Sequence, residues 1–101
     1  MREPLNQARG EVVLAIDGRE RRLCLTLGAL AELEAAFDVV SLTELGERLS
    51  HLSAADLLIV VSALSGGGGE RLGPVELAGS AIDPKAAAAA VAEAFRLAFD
   101  D

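Results

Sequence analysis

Two short segments of alternating apolar residues near the start of the chain limit its fold more than any other feature. The alternating positions are Val12, Leu14 and Ile16 in the first segment and Leu23, Leu25 and Leu27 in the second. Between them lies Asp17-Gly18, a pair that readily adopts the positive φ angles of a two-residue turn. The pattern predicts a β-hairpin with one apolar face. Because a lone hairpin is only marginally stable in water, other elements have to cover that face.

Three helices are predicted to follow the hairpin, each introduced by a capping residue. Thr26 caps the first, which runs from about Leu27 to Phe37. Ser41 and Ser53 introduce the second and the third, and an acidic residue three positions later completes the pattern of a capping box. Apolar residues surround most of the third helix, so we expect that helix to lie at the centre of the fold.

A glycine run and two prolines organise the rest of the chain. The run from Gly66 to Gly69 is expected to end the third helix and to act as a flexible connector. It does not match a phosphate-binding loop, because it follows a helix and Glu70-Arg71 replaces the Lys and Ser/Thr of that motif. Pro74 is expected to begin a short helical turn, and Asp83-Pro84 begins the last long helix.

Together these elements predict an α+β fold, in which an N-terminal two-stranded β-hairpin packs on a bundle of about four α-helices. A chain of 101 residues suits one domain. We expect that domain to comprise residues 10–101. Residues 1–9 are mostly polar and include Pro4, so they are predicted to form a loose N-terminal arm.

Composition argues against several classes of function. The formal net charge is −7 at pH 7 and phenylalanine is the only aromatic residue type, which disfavours nucleic-acid binding through phosphate neutralisation or base stacking. The single cysteine, Cys24, and the single histidine, His51, lack an accompanying set of metal-ligating or catalytic residues. We therefore expect no enzymatic activity, no cofactor and no metal. The longest apolar run, Leu57 to Val61, is too short to span a membrane, and no signal peptide is visible, so a cytoplasmic location is expected.

Protein binding is then the expected activity, and seven residues are candidate contacts. Three arginines near the hairpin turn form the only basic cluster, which either contacts an acidic partner or is a solvated strand face. Several apolar residues exceed what one small core requires, and they either form an exposed patch for a partner or pack inside the monomer. The candidates are Arg19, Arg21, Arg22, Ile59, Val60, Leu97 and Phe99.

The order of these parts and the residues that form them resemble a known family. The chain opens with RGEVVLAIDGRERRLCLTLGALAELEAAFDVVSLTELGERL and continues with SAADLLIVVSALSGGGG before an alanine-rich last helix. Over Gly10 to Phe99 it resembles the small proteins encoded in the tail-gene clusters of gene transfer agents and related tailed phages of α-proteobacteria. The hairpin that runs directly into LTLGALAELEAAF, residues Leu25 to Phe37, carries most of this resemblance.

The resemblance implies a protein similar to a tail assembly chaperone, which binds the tape-measure protein and brings tail tube subunits to it. The family is also described as a tail tube component, so a structural tail subunit is the first alternative. A small ligand-binding or enzymatic domain is less favoured. A chaperone is expected in the cytoplasm of the bacterial host, and a structural subunit is expected in the virion. The sequence leaves the formation of a homo-oligomer open.

Overall fold

The computed structural model describes residues 10–99, which form two strands and five helices. These elements are β1 (Glu11–Ile16), β2 (Arg19–Cys24), α1 (Leu27–Phe37), α2 (Leu42–Leu49), α3 (Ala54–Gly67), α4 (Pro74–Ala78) and α5 (Pro84–Phe99). The predicted α+β class is confirmed: a hairpin packs on four longer helices, and α4 is the short turn expected after the third of them. The arm predicted for residues 1–9 lies outside the described residues.

The hairpin turn has the geometry that its two residues favour. Asp17 and Gly18 have φ angles of 54° and 77°, as a type I′ turn requires. This turn sets the antiparallel register, in which Ile16 lies opposite Arg19. The alternating residues of β1, namely Val12, Leu14 and Ile16, are all buried, because α5 packs against this strand.

The second predicted strand ends earlier than its alternation suggests. Leu23 and Leu25 are buried, but Leu27 is 81% exposed and is the first residue of α1. The hydroxyl of Thr26 accepts a hydrogen bond from the amide of Ala29, so the helix cap lies only two residues after Cys24, the last residue of β2. A helix cap therefore overrides the alternating pattern at its last position, and Leu27 does not belong to the apolar face of the hairpin.

α3 lies at the centre of the described fold and contacts β2, α1, α4 and α5. Six consecutive residues of this helix, from Val60 to Ser65, are buried. Burial around the whole circumference explains why the sequence of α3 is apolar on nearly every side. The capping box predicted for Ser53 and Asp56 is present in both directions.

The cap of α2 differs slightly from the predicted capping box. The hydroxyl of Ser41 accepts a hydrogen bond from the amide of Glu44, as expected. The carboxylate of Glu44, however, accepts from the amide of Val40 rather than from that of Ser41. The acidic side chain thus stabilises the residue before the cap, and α2 still begins at the predicted place.

The glycine run has a packing role that the sequence analysis did not identify. α3 continues through Gly67, and Gly69 is the one member of the run with a positive φ, at 103°. A Cβ atom on Gly67 would lie 2.1 Å from the carbonyl oxygen of Cys24, and one on Gly68 would lie 2.0 Å from that of Arg22. The end of α3 therefore lies directly against the backbone of β2, an approach that only glycine permits.

Candidate protein-binding groove

An apolar groove opens to solvent between α2 and α5, with the first turn of α3 below it. Its volume is about 780 Å³. Leu45 and Val91 are buried at its base, whereas Leu42 and Phe99 are about half exposed. The lining residues are Leu42, Thr43, Leu45, Gly46, Leu49, Ser50, Leu52, Leu57, Ala88, Val91, Ala92, Phe95 and Phe99.

The groove exists because small residues stand where the two helices would otherwise fill the space between them. α2 presents Gly46 to the groove, and α5 presents Ala88 and Ala92. Larger side chains flank these positions on each wall, and on α5 the rings of Phe95 and Phe99 stack with centroids 6.2 Å apart. The result is an apolar channel with an aromatic pair at one end, which suits an apolar partner segment better than a polar ligand.

Ion pairs neutralise both arginines on the helices that form the groove. Arg48 of α2 pairs with Asp56 of α3, and Arg96 of α5 pairs with Glu93 one turn earlier. The guanidinium of Arg48 lowers the pKa of Asp56 from 3.8 to about 2, and hydrogen bonds from Ser53 act in the same direction. The hydrogen bonds from Arg96 likewise lower the pKa of Glu93. Both carboxylates are therefore ionised at neutral pH.

The wall formed by α2 keeps negative charge that no arginine neutralises. Glu44 and Glu47 are exposed on this helix, and neither forms an ion pair within the part of the chain that the structure describes. Glu47 lies one turn of helix from the groove residues Thr43 and Ser50. The rim on the α2 side is accordingly acidic, and it favours a partner that carries basic residues beside its apolar face.

The structure separates the four apolar candidates from the sequence analysis. Phe99 lies at the end of the groove and is 55% exposed. Ile59 and Leu97 are half-buried against the core and do not line the groove. Val60 has no exposed surface at all, because neighbouring elements surround α3. Its inclusion in an exposed patch is corrected: Val60 is a core residue.

The three arginine candidates do not form one surface. Arg19 and Arg21 lie opposite Ile16 and Leu14 in the hairpin, while the side chain of Arg22 projects to the other face. Arg19 is exposed at the turn, whereas Arg21 is largely covered and pairs with Glu70, at 3.2 Å between Nη1 and Oε2. None of the three lines the groove. That they bind a partner stays a prediction.

The sequence analysis missed most of the groove, although one signal for it was available. Gly46 lies within the predicted second helix, and alanines recur along one side of the last helix, so both helices carry small residues where packed helices usually carry larger ones. The position of α2 relative to α5, which turns these small residues into a groove, follows from tertiary packing and has no local signature.

The described residues, 10–99, also bear on metal ligation and on membrane insertion. No group of three or more His, Cys, Asp or Glu side chains in this range is placed to hold a metal ion. None of the helices in the same range is long and apolar enough to cross a bilayer. Cys24 is buried.

Comparison with known proteins identifies the family. The family model described as "Phage tail tube protein, GTA-gp10" matches residues 9–101. The chain belongs to this family. The resemblance predicted from the sequence is thereby confirmed, and this tail protein works together with other components of a phage-like or gene transfer agent tail. Neither a search of the curated proteins nor one of the solved structures found a match.

Proposed function

We propose that this tail protein is a non-enzymatic assembly chaperone that binds the tape-measure protein while the tail is built. The observation that carries the proposal is the open apolar groove between α2 and α5, in a protein whose family assembles into tails. A chaperone must offer an apolar surface that a partner covers reversibly. An open groove with half-exposed Leu42 and Phe99 at its rim meets this requirement.

The shape of the groove suits a helical segment as its occupant. Along α5 it extends from Ala88 to Phe99, which corresponds to about 16 Å, or three helical turns. An amphipathic helix placed in such a groove inserts side chains at positions i, i+3, i+4 and i+7. The resemblance noted above implies a largely helical tape-measure protein, which would supply segments of this kind.

Charge adds a second criterion for the occupant. Glu44 and Glu47 leave the α2 wall acidic, and the whole chain has a net charge of −7. We expect the bound segment of the tape-measure protein to carry Lys or Arg on the side that faces Glu47. Such complementarity accelerates encounter and sets orientation more than it adds affinity.

Co-expression with the tape-measure protein encoded in the same gene cluster tests the proposal. The test variant is Leu42→Asp with Phe99→Asp, which places two charges on the rim without altering a buried residue. The matched control is Leu27→Asp with Val75→Asp, two more exposed apolar residues outside the groove. We expect the test variant to weaken binding of the tape-measure protein by about tenfold or more, and the control variant to bind as the parent protein does.

Two results would count against the proposal, the first against the chaperone function and the second against the groove as the binding site. One is failure of the parent protein to co-purify with the tape-measure protein, together with normal tail length and yield after its deletion. The other is equal binding by the groove variant and its control, provided that both unfold at the same urea concentration as the parent. The second result would exclude the groove as the binding site and would leave the family membership unaffected.

A structural subunit of the tail tube is the second candidate function, and the description of the family itself favours it. The hairpin offers only two strands within residues 10–99, whereas tubes are usually built on larger sheets, so we place this candidate second. Mass spectrometry of purified particles separates the two functions. A tube subunit is present in many copies per particle, and a chaperone is absent.

A further inference from the structure

The two outer edges of the hairpin differ in what covers them. Gly67 and Gly68 lie against the carbonyl oxygens of Cys24 and Arg22, so the end of α3 covers the outer edge of β2. Among the described residues, 10–99, the sheet contains only β1 and β2, so we expect a further strand to be added beside β1.

The outer edge of β1 presents the backbone groups of Val13 and Ala15. The two-residue turn makes Ile16 and Arg19 a hydrogen-bonded pair. Along an antiparallel hairpin, hydrogen-bonded pairs alternate with pairs whose backbone groups point away from the partner strand. Leu14 therefore bonds to β2, while the amide and carbonyl groups of Val13 and Ala15 point outward. Within residues 10–99 neither residue makes a hydrogen bond outside the hairpin.

This edge carries one charged residue, Glu11 at the first position of β1, and otherwise lacks the features that normally prevent strand addition. β1 contains no lysine and no proline, and its register with β2 continues without a bulge. Val13, at the middle of the strand, is 41% exposed. An edge strand of this kind readily pairs with another strand.

We propose that β1 pairs with β1 of a second copy of this chain, antiparallel and about a two-fold axis at Val13. The result is a four-stranded sheet in the order β2-β1-β1-β2. In this register even-numbered residues lie opposite even-numbered residues, and odd-numbered opposite odd-numbered. The apolar faces of both hairpins therefore lie on the same side of the sheet, each over its own α5.

Backbone hydrogen bonding selects this register over its neighbour. With the axis at Val13, the two Val13 side chains meet, and Ala15 lies opposite Glu11 of the second copy. With the axis at Leu14, Glu11 would lie opposite Asp17 of the second copy. Asp17 belongs to the turn, and its amide already donates to the carbonyl of Ala81, so that register would form fewer hydrogen bonds between the copies. The self-complementary register, with valine on the axis, makes a second copy a better occupant than an unrelated strand.

The net charge of −7 on each copy opposes association. We therefore expect the dimer to be weak at low ionic strength and to tighten as salt screens this repulsion. A contact held together by opposite charges would respond to salt in the opposite direction. The inference uses only the hairpin and is independent of the chaperone proposal.

Analytical ultracentrifugation of the full chain over a range of protein and salt concentrations tests the dimer. The test variants are Val13→Lys, which places two lysines on the axis, and Ala15→Pro, which removes an outward amide that the hairpin does not use. The matched control is Val75→Lys, because Val75 is 89% exposed on α4, outside the hairpin. We expect both test variants to weaken dimerisation by about tenfold or more, and the control to leave it unchanged.

Hydrogen exchange of the backbone amides supplies a second readout. In the dimer the amides of Val13 and Ala15 should be protected, and dilution should remove that protection. A protein that stays monomeric at high concentration and high salt would overturn the inference. So would a dimer that both test variants leave intact, or a monomer whose Val13 and Ala15 amides are protected, since another part of the chain would then occupy the edge.

Discussion

Arg48 of α2 holds Asp56 of α3 in a two-point ion pair, with Nη1–Oδ2 at 2.6 Å and Nη2–Oδ1 at 2.9 Å. The same guanidinium lies 4.7 Å from the centre of the Phe37 ring at the end of α1. Asp56 also accepts a hydrogen bond from the backbone amide of Ser53. One arginine thus ties three helices together beside the groove and fixes the position of the α2 wall.

This ion pair predicts how stability depends on pH. The pKa of Asp56 is about 2 in the folded protein and near 3.8 when the contacts are absent, so the unfolded chain binds the proton more tightly. The contribution of Asp56 to stability is complete above its unfolded pKa and is lost as the pH falls toward 2. Urea unfolding at a series of pH values should therefore show a decrease in the free energy of unfolding over this interval.

The variant Asp56→Asn isolates that contribution. Arg71 and Arg96 also lower the pKa values of Glu32 and Glu93, and these two carboxylates remain in the variant. We expect the variant to be less stable than the parent at pH 7 and to lose less stability on acidification. An unchanged pH dependence would mean that the pair contributes nothing to folding.

The contact between α3 and β2 predicts an unusual sensitivity to a methyl group. Gly67→Ala places its Cβ 2.1 Å from the carbonyl oxygen of Cys24. Because that atom belongs to the backbone and not to a flexible side chain, either α3 or β2 has to shift. We expect the variant to lower the free energy of unfolding by about 2 kcal/mol or more, measured by urea unfolding.

Gly46→Ala is the matched control for that measurement, because Gly46 is also a helical glycine and a Cβ there meets nothing within 4 Å. Alanine at this position should raise the free energy of unfolding by about 0.5–1 kcal/mol. If the two substitutions had similar effects, the close approach of α3 to β2 would be wrong.

Two buried serines of α3 should respond in opposite ways to the loss of a hydroxyl. The Oγ of Ser65 accepts a hydrogen bond from the amide of Leu72 at 2.8 Å and donates one to the carbonyl of Ser62 at 2.7 Å. Ser65→Ala leaves the buried amide of Leu72 without this partner, which should lower the free energy of unfolding by about 1–3 kcal/mol.

Ser62 provides the contrast, because its own Oγ is buried and has no hydrogen-bond partner in the described chain. Ser62→Ala removes an unsatisfied polar atom, so we expect it to be neutral or stabilising. Thermal unfolding of the two variants side by side checks this prediction. Equal destabilisation would show that the hydroxyl of Ser62 is satisfied in solution.

The hairpin turn is held to the loop before α5 by a pair of hydrogen bonds. The amide of Asp17 donates to the carbonyl of Ala81 at 3.0 Å, and the amide of Ala81 donates to Oδ1 of Asp17 at 2.7 Å. Asp17→Gly keeps the positive φ but loses the acceptor, and it should cost about 1 kcal/mol of stability in urea unfolding. Asp17→Asn keeps both and should cost less. A glycine variant at least as stable as the asparagine variant would contradict this role for the side chain.

The fold was largely predictable because its signals are local. Asp17-Gly18 determines the turn, Thr26, Ser41 and Ser53 cap their helices, and Pro84 begins α5, each through contacts within a few residues. Leu27 was misassigned to the strand face because a cap and an alternating pattern overlap at that residue. The candidate site was less predictable. Phe99 does line the groove, whereas Val60, for which the sequence left an exposed patch and the core both open, is a core residue. Apolar periodicity could not decide between the two because it does not say which elements surround a helix.

The sequence by itself determined the type of most elements, where they begin and the family to which they belong, since propensity, capping and turn chemistry act over a few residues. Only the tertiary structure decided how these elements meet. It placed Gly67 and Gly68 against β2, so that within residues 10–99 the end of α3 covers the edge of β2 and no third strand lies beside β1. It also set α2 apart from α5, so that Gly46, Ala88 and Ala92 border a groove. Both arrangements depend on close packing between residues far apart in the chain, and no short stretch of sequence records that packing.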